Sequence, residues 1–178
     1  MNIIEIIIIS IILAMDCFTV SICKGITINK KDIKKYIIIA IYFGVFQLLM
    51  TVLGYFISSG FKELITEVSK IIGSLILFII GVNMIIHFKD NETFDDKIDI
   101  KTMIPLAIAT SIDALAVGIS FAMLNVNIIS SSIIIGITSF ILSFIGVFIG
   151  SIFKSKLSKN YGLIGGLVLI LLAIKMLL

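Results

Sequence analysis

The sequence predicts an all-α integral membrane protein of six transmembrane helices arranged as an inverted 3+3 repeat. Three observations predict it: apolar runs of about twenty residues, a lysine bias between alternate connections, and two similar segments built around aspartates. Of 178 residues, 60% are apolar and 14% charged, against about half and about a quarter in ordinary soluble domains. The charges cluster between runs long enough to cross about 30 Å of hydrocarbon. These runs lack the strict alternation of barrel strands, and in lipid the helix satisfies its backbone within one segment. No basic stripe interleaved with aromatics is present, so nucleic-acid binding finds no support.

The expected spans are residues 3–23, 36–57, 69–88, 103–124, 129–153 and 161–178. In the first, Glu5 is the earliest charge and no basic residue precedes the apolar run. A cleavable signal begins with a positive segment, so this span is expected to be retained. Cys17 and Cys23 lie in it six residues apart, too distant along one helix to bridge each other, and read as small apolar filling. The second span follows "KGITINKKDIKK" (24–35), a topology anchor against anionic lipid. The third ends near His87, read as a headgroup-level residue with no part in metal binding. Residues 89–102 form an expected cytoplasmic linker whose acids, Asp90 to Asp99, outnumber its lysines. It lacks the glycine and final glutamate of a calcium-binding loop and reads as solvated. The fourth span holds Pro105 in its first turn, where a missing N–H costs little. "NVN" joins it to the fifth span, and "KSKLSKN" joins the fifth to the sixth. Gly146, Gly150, Gly162 and Gly166 have the spacing of close helix packing.

Lysines set the orientation. The first connection holds Lys24, Lys30, Lys31, Lys34 and Lys35; the third holds Lys89, Lys97 and Lys101; the fifth holds Lys154, Lys156 and Lys159. The opposite side has only Lys62 and Lys70, while Lys175 lies within the last span. By the positive-inside rule the odd-numbered connections are cytoplasmic and both termini are outside.

"DCFTVSI" (16–22) matches "DALAVGI" (113–119), keeping the Asp, Val and Ile. "GVFQLLMTVLGYFIS" (44–58) lies over "GITSFILSFIGVFIG" (136–150), sharing Gly44/Gly136, Gly54/Gly146 and Phe56/Phe148. "IGSLILFIIGVNM" (72–84) lies over "IGGLVLILLAIKM" (164–176). Three matches in one order define repeats over 1–88 and 103–178. Because each repeat has three spans, the second enters the membrane from the opposite face. Secondary transporters use such inverted repeats, with substrate sites near the midplane. The symmetry would bring Asp16 and Asp113 to one central site.

A carboxylate near mid-span costs about 2.5–3.5 kcal/mol on insertion scales and usually marks an ion pathway. The chain has no arginine, and no lysine lies mid-span except Lys175 near the end of the sixth. An internal salt bridge for both acids is therefore poorly supplied, and a cation that comes and goes is the expected partner. Asp16 shares a helix face with Thr19, Val20 and Cys23, and Asp113 with Thr110, Ala116 and Ser120. Carboxylate, hydroxyl and amide oxygens suit a hard divalent cation such as Mg²⁺, Mn²⁺ or Ca²⁺. Gln47 and Asn83 can supply amide oxygens, with interhelical hydrogen bonding as the alternative use. Cys17 is about 100° round the helix from Asp16 and a poor co-ligand. Two close acids in low dielectric do not both stay ionised without metal, so exchange of metal for protons is the expected mechanism.

With these residues, "MDCFTVSICKG", "FGVFQ" (43–47) and "TSIDALAVGIS" resemble the MntP family of bacterial manganese efflux pumps, along essentially the whole chain. The resemblance implies six spans, export of Mn²⁺ from the cytoplasm across the bacterial inner membrane, and an acidic pair on the metal path. The implied metal residues are Asp16, Asp113, Gln47, Asn83, Thr110 and Ser111. Mn²⁺ would be the transported substrate, with no cofactor and no obligatory protein partner beyond membrane lipid. Two departures stand out: Cys17, where the family commonly has Ala, and Met50-Thr51, where it commonly has Met-Pro. The missing proline removes a reason for the second span to kink.

Rival classes fare worse. An intramembrane aspartyl protease also pairs two acids, but neither aspartate here follows the Gly-x-Gly of such enzymes, so no enzyme is expected. An exporter of small basic organic solutes would want more aromatics along its path. A scaffold subunit leaves the paired acids unexplained.

Overall fold

The structure, a computed structural model, describes residues 1–28, 32–58, 71, 74–82, 85, 100–154 and 161–177. Its elements are helices α1 (Ile3–Thr27), α2 (Ile33–Ile57), α3 (74–82), α4 (Ile100–Thr110), α5 (Ile112–Met123), α6 (Ile128–Lys154) and α7 (Tyr161–Leu177). No strand occurs among the described residues.

Local chemistry starts several of these helices. At the head of α1, the backbone N–H of Asn2 donates to the Glu5 carboxylate, 3.1 Å away. Asp32 accepts from Lys34 N at 3.0 Å and opens α2. Side-chain oxygens at these positions satisfy N–H groups that a helix start leaves without partners. Between α5 and α6 the chain turns through Asn125, whose φ of 51° is left-handed. Asn is among the few residues that adopt this conformation readily. Asn127 then caps α6 through Ile129 N and Ser130 N.

Helices α1, α2 and α6 are each long and apolar enough to cross a bilayer, and α4 with α5 would make a fourth span bent by 43°. That bend corrects the expectation of one helix over 103–124. Helix α4 also starts earlier, at Ile100, so Pro105 lies inside it rather than in its first turn. The break falls at Ser111, whose N–H reaches back three residues to Ile108 O. Just before it, the Thr110 hydroxyl donates to the carbonyls of Leu106 and Ala107. Such back-bonding competes with the helical ladder and bends helices.

Helix α1 packs along α6, and α2 along both α6 and α5, while α7 lies against α1 and α4 against α2. Glycines set the closest approaches. A Cβ at Gly44 would stand 2.9 Å from Gly136 O, and one at Gly136 would stand 3.1 Å from Gly44 O. A Cβ at Gly54 would collide with Leu115 O of α5, and one at Gly146 would stand 2.7 Å from Phe18 O of α1. Gly81 and Gly166 bring α3 against α7 in the same way.

The interior mixes large apolar side chains such as Phe43, Met103 and Phe121 with small hydroxyls, and the exterior is large and aliphatic. Ser10, Ser21, Thr51, Ser139 and Ser143 are buried, whereas Ile41, Val45, Leu49, Ile133, Ile137 and Ile141 are exposed. In water this arrangement would be ruinous. In lipid, helices associate through close packing and polar contacts rather than through apolar burial.

Candidate functional site

Asp16 lies near the middle of α1, in an unbroken helix. Asp113 is the second residue of α5, directly after the break, and its Oδ1 accepts from Ala114 N at 2.8 Å. The two acids thus have unlike backbones: one is held mid-helix, the other at a helix N-terminus, where exposed N–H groups favour negative charge. Asp16 and Asp113 lie within electrostatic range of each other. Among the described residues, however, no three His, Cys, Asp or Glu side chains form a group that could hold a metal.

Gln47 of α2 is fully buried. It stands close enough to Asp113 to bear on its carboxylate, yet its Nε2 makes no hydrogen bond of acceptable geometry. Its Oε1 accepts from Cys17 Sγ at 3.4 Å. Cys17 also points at Thr110 O, 3.9 Å away. One thiol therefore ties α1 to α2 and α4 beside both acids, which corrects its reading as plain apolar filling. Sequence spacing put Cys17 off the Asp16 face, and its partners lie on other helices.

Thr110 and Ser111 are both buried. Thr110 directs its hydroxyl proton into its own helix, leaving the oxygen's lone pairs. Ser111 Oγ has no partner. A buried polar atom without a partner forfeits about 1–3 kcal/mol, so Gln47 and Ser111 form a polar surface with unused capacity. Asn83, His87 and the acidic stretch 89–99 lie outside the described residues.

A cavity of about 10 Å³ is lined by Asp16, Thr110, Leu77, Leu172 and Lys175, room for about one water. Asp113, Gln47 and Ser111 do not line it. Lys175 Nζ lies 3.3 Å from Asp16 Oδ1, so the expectation that an internal ion pair is poorly supplied fails for Asp16. The long lysine stem carries charge from near the end of α7 back to α1. Sequence reasoning also passed over Ser139 and Ser143 of α6, buried hydroxyls without partners. Their signal was the repeat: Ser139 follows Gly136 as Gln47 follows Gly44.

The chain is similar to several proteins named "Putative manganese efflux pump MntP". That of Acetivibrio thermocellus is 42% identical over 99% of this chain and 91% of its own length. That of Desulfitobacterium hafniense is 41% identical over 98% and 93%, and that of Campylobacter jejuni serotype O:23/36 is 46% identical over 100% and 97%. No solved structure matches. The family model described as "Putative manganese efflux pump" covers residues 30–177. Together with these relatives it places the chain, an apolar helical bundle with two half-buried carboxylates, in the MntP family of manganese efflux pumps.

Proposed function

We propose that this protein exports Mn²⁺ from the cytoplasm of a bacterial cell through a midplane site built on Asp16 and Asp113. Six spans form an inverted 3+3 repeat, residues 1–88 and 103–178 joined by an acidic cytoplasmic linker over 89–102, with both termini outside. Gln47, Thr110 and Ser111 add oxygens to the site, and Asn83 completes the set. Carboxylate, amide and hydroxyl oxygens match a hard divalent ion. Metal enters as protons leave, and the halves rock about the site to expose it alternately to each face.

One pair of contacts carries this reading. Gly54 of α2 packs on Leu115 O, and Gly146 of α6 packs on Phe18 O. Gly54 and Gly146 are aligned in the repeat, and Leu115 and Phe18 each follow an aspartate by two residues. The same helix docking therefore recurs beside each acid, as a two-fold relation between the halves requires. Gly44 and Gly136, also aligned, face each other, which suits a position on that axis. The names of the relatives supply the metal and the direction of transport.

The test uses cells lacking their own manganese exporter. Expression lowers cellular manganese, while Asp16→Asn and Asp113→Asn each abolish that effect at unchanged protein level. Undiminished export by either variant sinks the two-aspartate site, and protection against zinc or cobalt instead of manganese reassigns the substrate.

A further inference from the structure

Lys175 sits in the last turn of α7, where charge is expected to meet headgroups. Its ammonium turns back to the Asp16 carboxylate instead, and the residue lines the same small cavity as Thr110. Its contact is loose. At 3.3 Å it exceeds the ~2.7–2.9 Å of a well-formed charge-assisted hydrogen bond. The lysine side chain is 70% exposed, the aspartate 26%. A single-point ion pair in low dielectric repays the desolvation of its charges only when its geometry is good, so a structural staple is a weak account of it.

What the pair does provide is a monovalent cation on a tether, beside a carboxylate assigned above to metal. We propose that Lys175 is a tethered counter-cation for Asp16, and that its ammonium and the transported divalent ion occupy this carboxylate in turn. The proposal rests on the reading of Asp16 as a transport ligand. Attraction to a carboxylate grows with the cation's charge, so a divalent ion that also engages Asp113 displaces one ammonium. When the ion departs, the lysine returns, and Asp16 is not left as an uncompensated charge in low dielectric. A looser, more exposed lysine performs this exchange better than a tightly bonded one.

The repeat supplies a second, independent argument. In the alignment of 72–84 over 164–176, Lys175 stands opposite Asn83. The two halves thus differ at this one position by a full charge. Asp16 has a cation of its own, whereas the donor to Asp113 is a neutral one, Ala114 N. A purely structural duplication has no need of this difference. An exchanger that must discharge its cargo from one particular carboxylate does.

The experiment measures Mn²⁺ binding to the purified full-length protein in detergent, counting free Mn²⁺ by its paramagnetic resonance signal. Lys175→Gln removes the tethered charge and should bind Mn²⁺ about fivefold tighter, the equivalent of ~1 kcal/mol. Lys175→Met should do the same, and Lys175→Arg should match the parent protein. In an Asp16→Asn background the lysine substitutions should change nothing, as a pairwise coupling requires. A structural contact cannot produce this pattern, because its loss weakens binding. Unchanged or weaker binding in both Lys175→Gln and Lys175→Met, with Asp16→Asn still impaired, overturns the tethered cation and leaves the acidic site standing. Full Mn²⁺ binding by Asp16→Asn overturns both.

Discussion

Gln47 carries the most informative contradiction at the scale of single residues. It is fully buried, uses its carbonyl to accept from Cys17, and leaves its amide nitrogen unbonded beside Asp113. If interhelical hydrogen bonding were its purpose, both ends would be engaged. Replacing it by leucine removes the unbonded donor, whose burial costs about 1–3 kcal/mol, and forfeits one weak thiol contact. Gln47→Leu should therefore unfold at the same temperature as the parent or higher, while its manganese export falls at least about tenfold, the equivalent of ~1.4 kcal/mol. Thermal unfolding in detergent together with metal efflux from cells checks both halves. A destabilised variant with intact export would make Gln47 a packing residue instead. The acids and this amide were legible in the sequence because polar residues in apolar runs announce themselves. Cys17 was not, since a buried thiol resembles apolar filling until its partners are known.

Helix packing obeys the same economy at the scale of elements. Where Gly54 meets Leu115 O and Gly146 meets Phe18 O, the obstacle to any added Cβ is a carbonyl, not a side chain that can rotate away. Overpacking of this kind costs about 1–3 kcal/mol. Gly54→Ala and Gly146→Ala should each lower the unfolding temperature, Gly54→Ala by more, because its Cβ would collide outright with Leu115 O whereas that of Gly146 stops 2.7 Å from Phe18 O. Gly44→Ala should be milder than Gly54→Ala, since its Cβ would stop 2.9 Å from Gly136 O rather than collide outright. An unchanged unfolding temperature in either Gly54→Ala or Gly146→Ala would count against this docking of α2 on α5 and α6 on α1. Helix boundaries came through to within a few residues where apolar runs meet lysines, turns or asparagine caps, as in α1, α2 and α6. The break at Ser111 did not. "ATSID" contains neither glycine nor proline, and its bend follows from hydroxyl back-bonding at Thr110 that composition alone does not reveal.

For the whole molecule, the outward aliphatic stripes and the hydroxyls buried beside the apolar core make a bundle that is coherent only in lipid. Under the proposed exchange, metal entering a pair of acids releases protons and metal leaving takes them back. In inside-out vesicles an acid-inside gradient should therefore accelerate Mn²⁺ accumulation, and collapsing the gradient with a protonophore should slow it. Accumulation indifferent to the gradient would remove protons from the mechanism without touching the metal site. Periodicity and hydropathy are local or running properties, so the sequence by itself determined the membrane class, the repeated motif and the identity of both acids. Only the tertiary structure decided which side chains meet: Cys17 with Gln47 across 30 positions, Cys17 with Thr110 across 93, and Lys175 with Asp16 across 159. Contacts at such separations depend on how helices cross and how far a side chain reaches, and no pattern along a single helix contains that information.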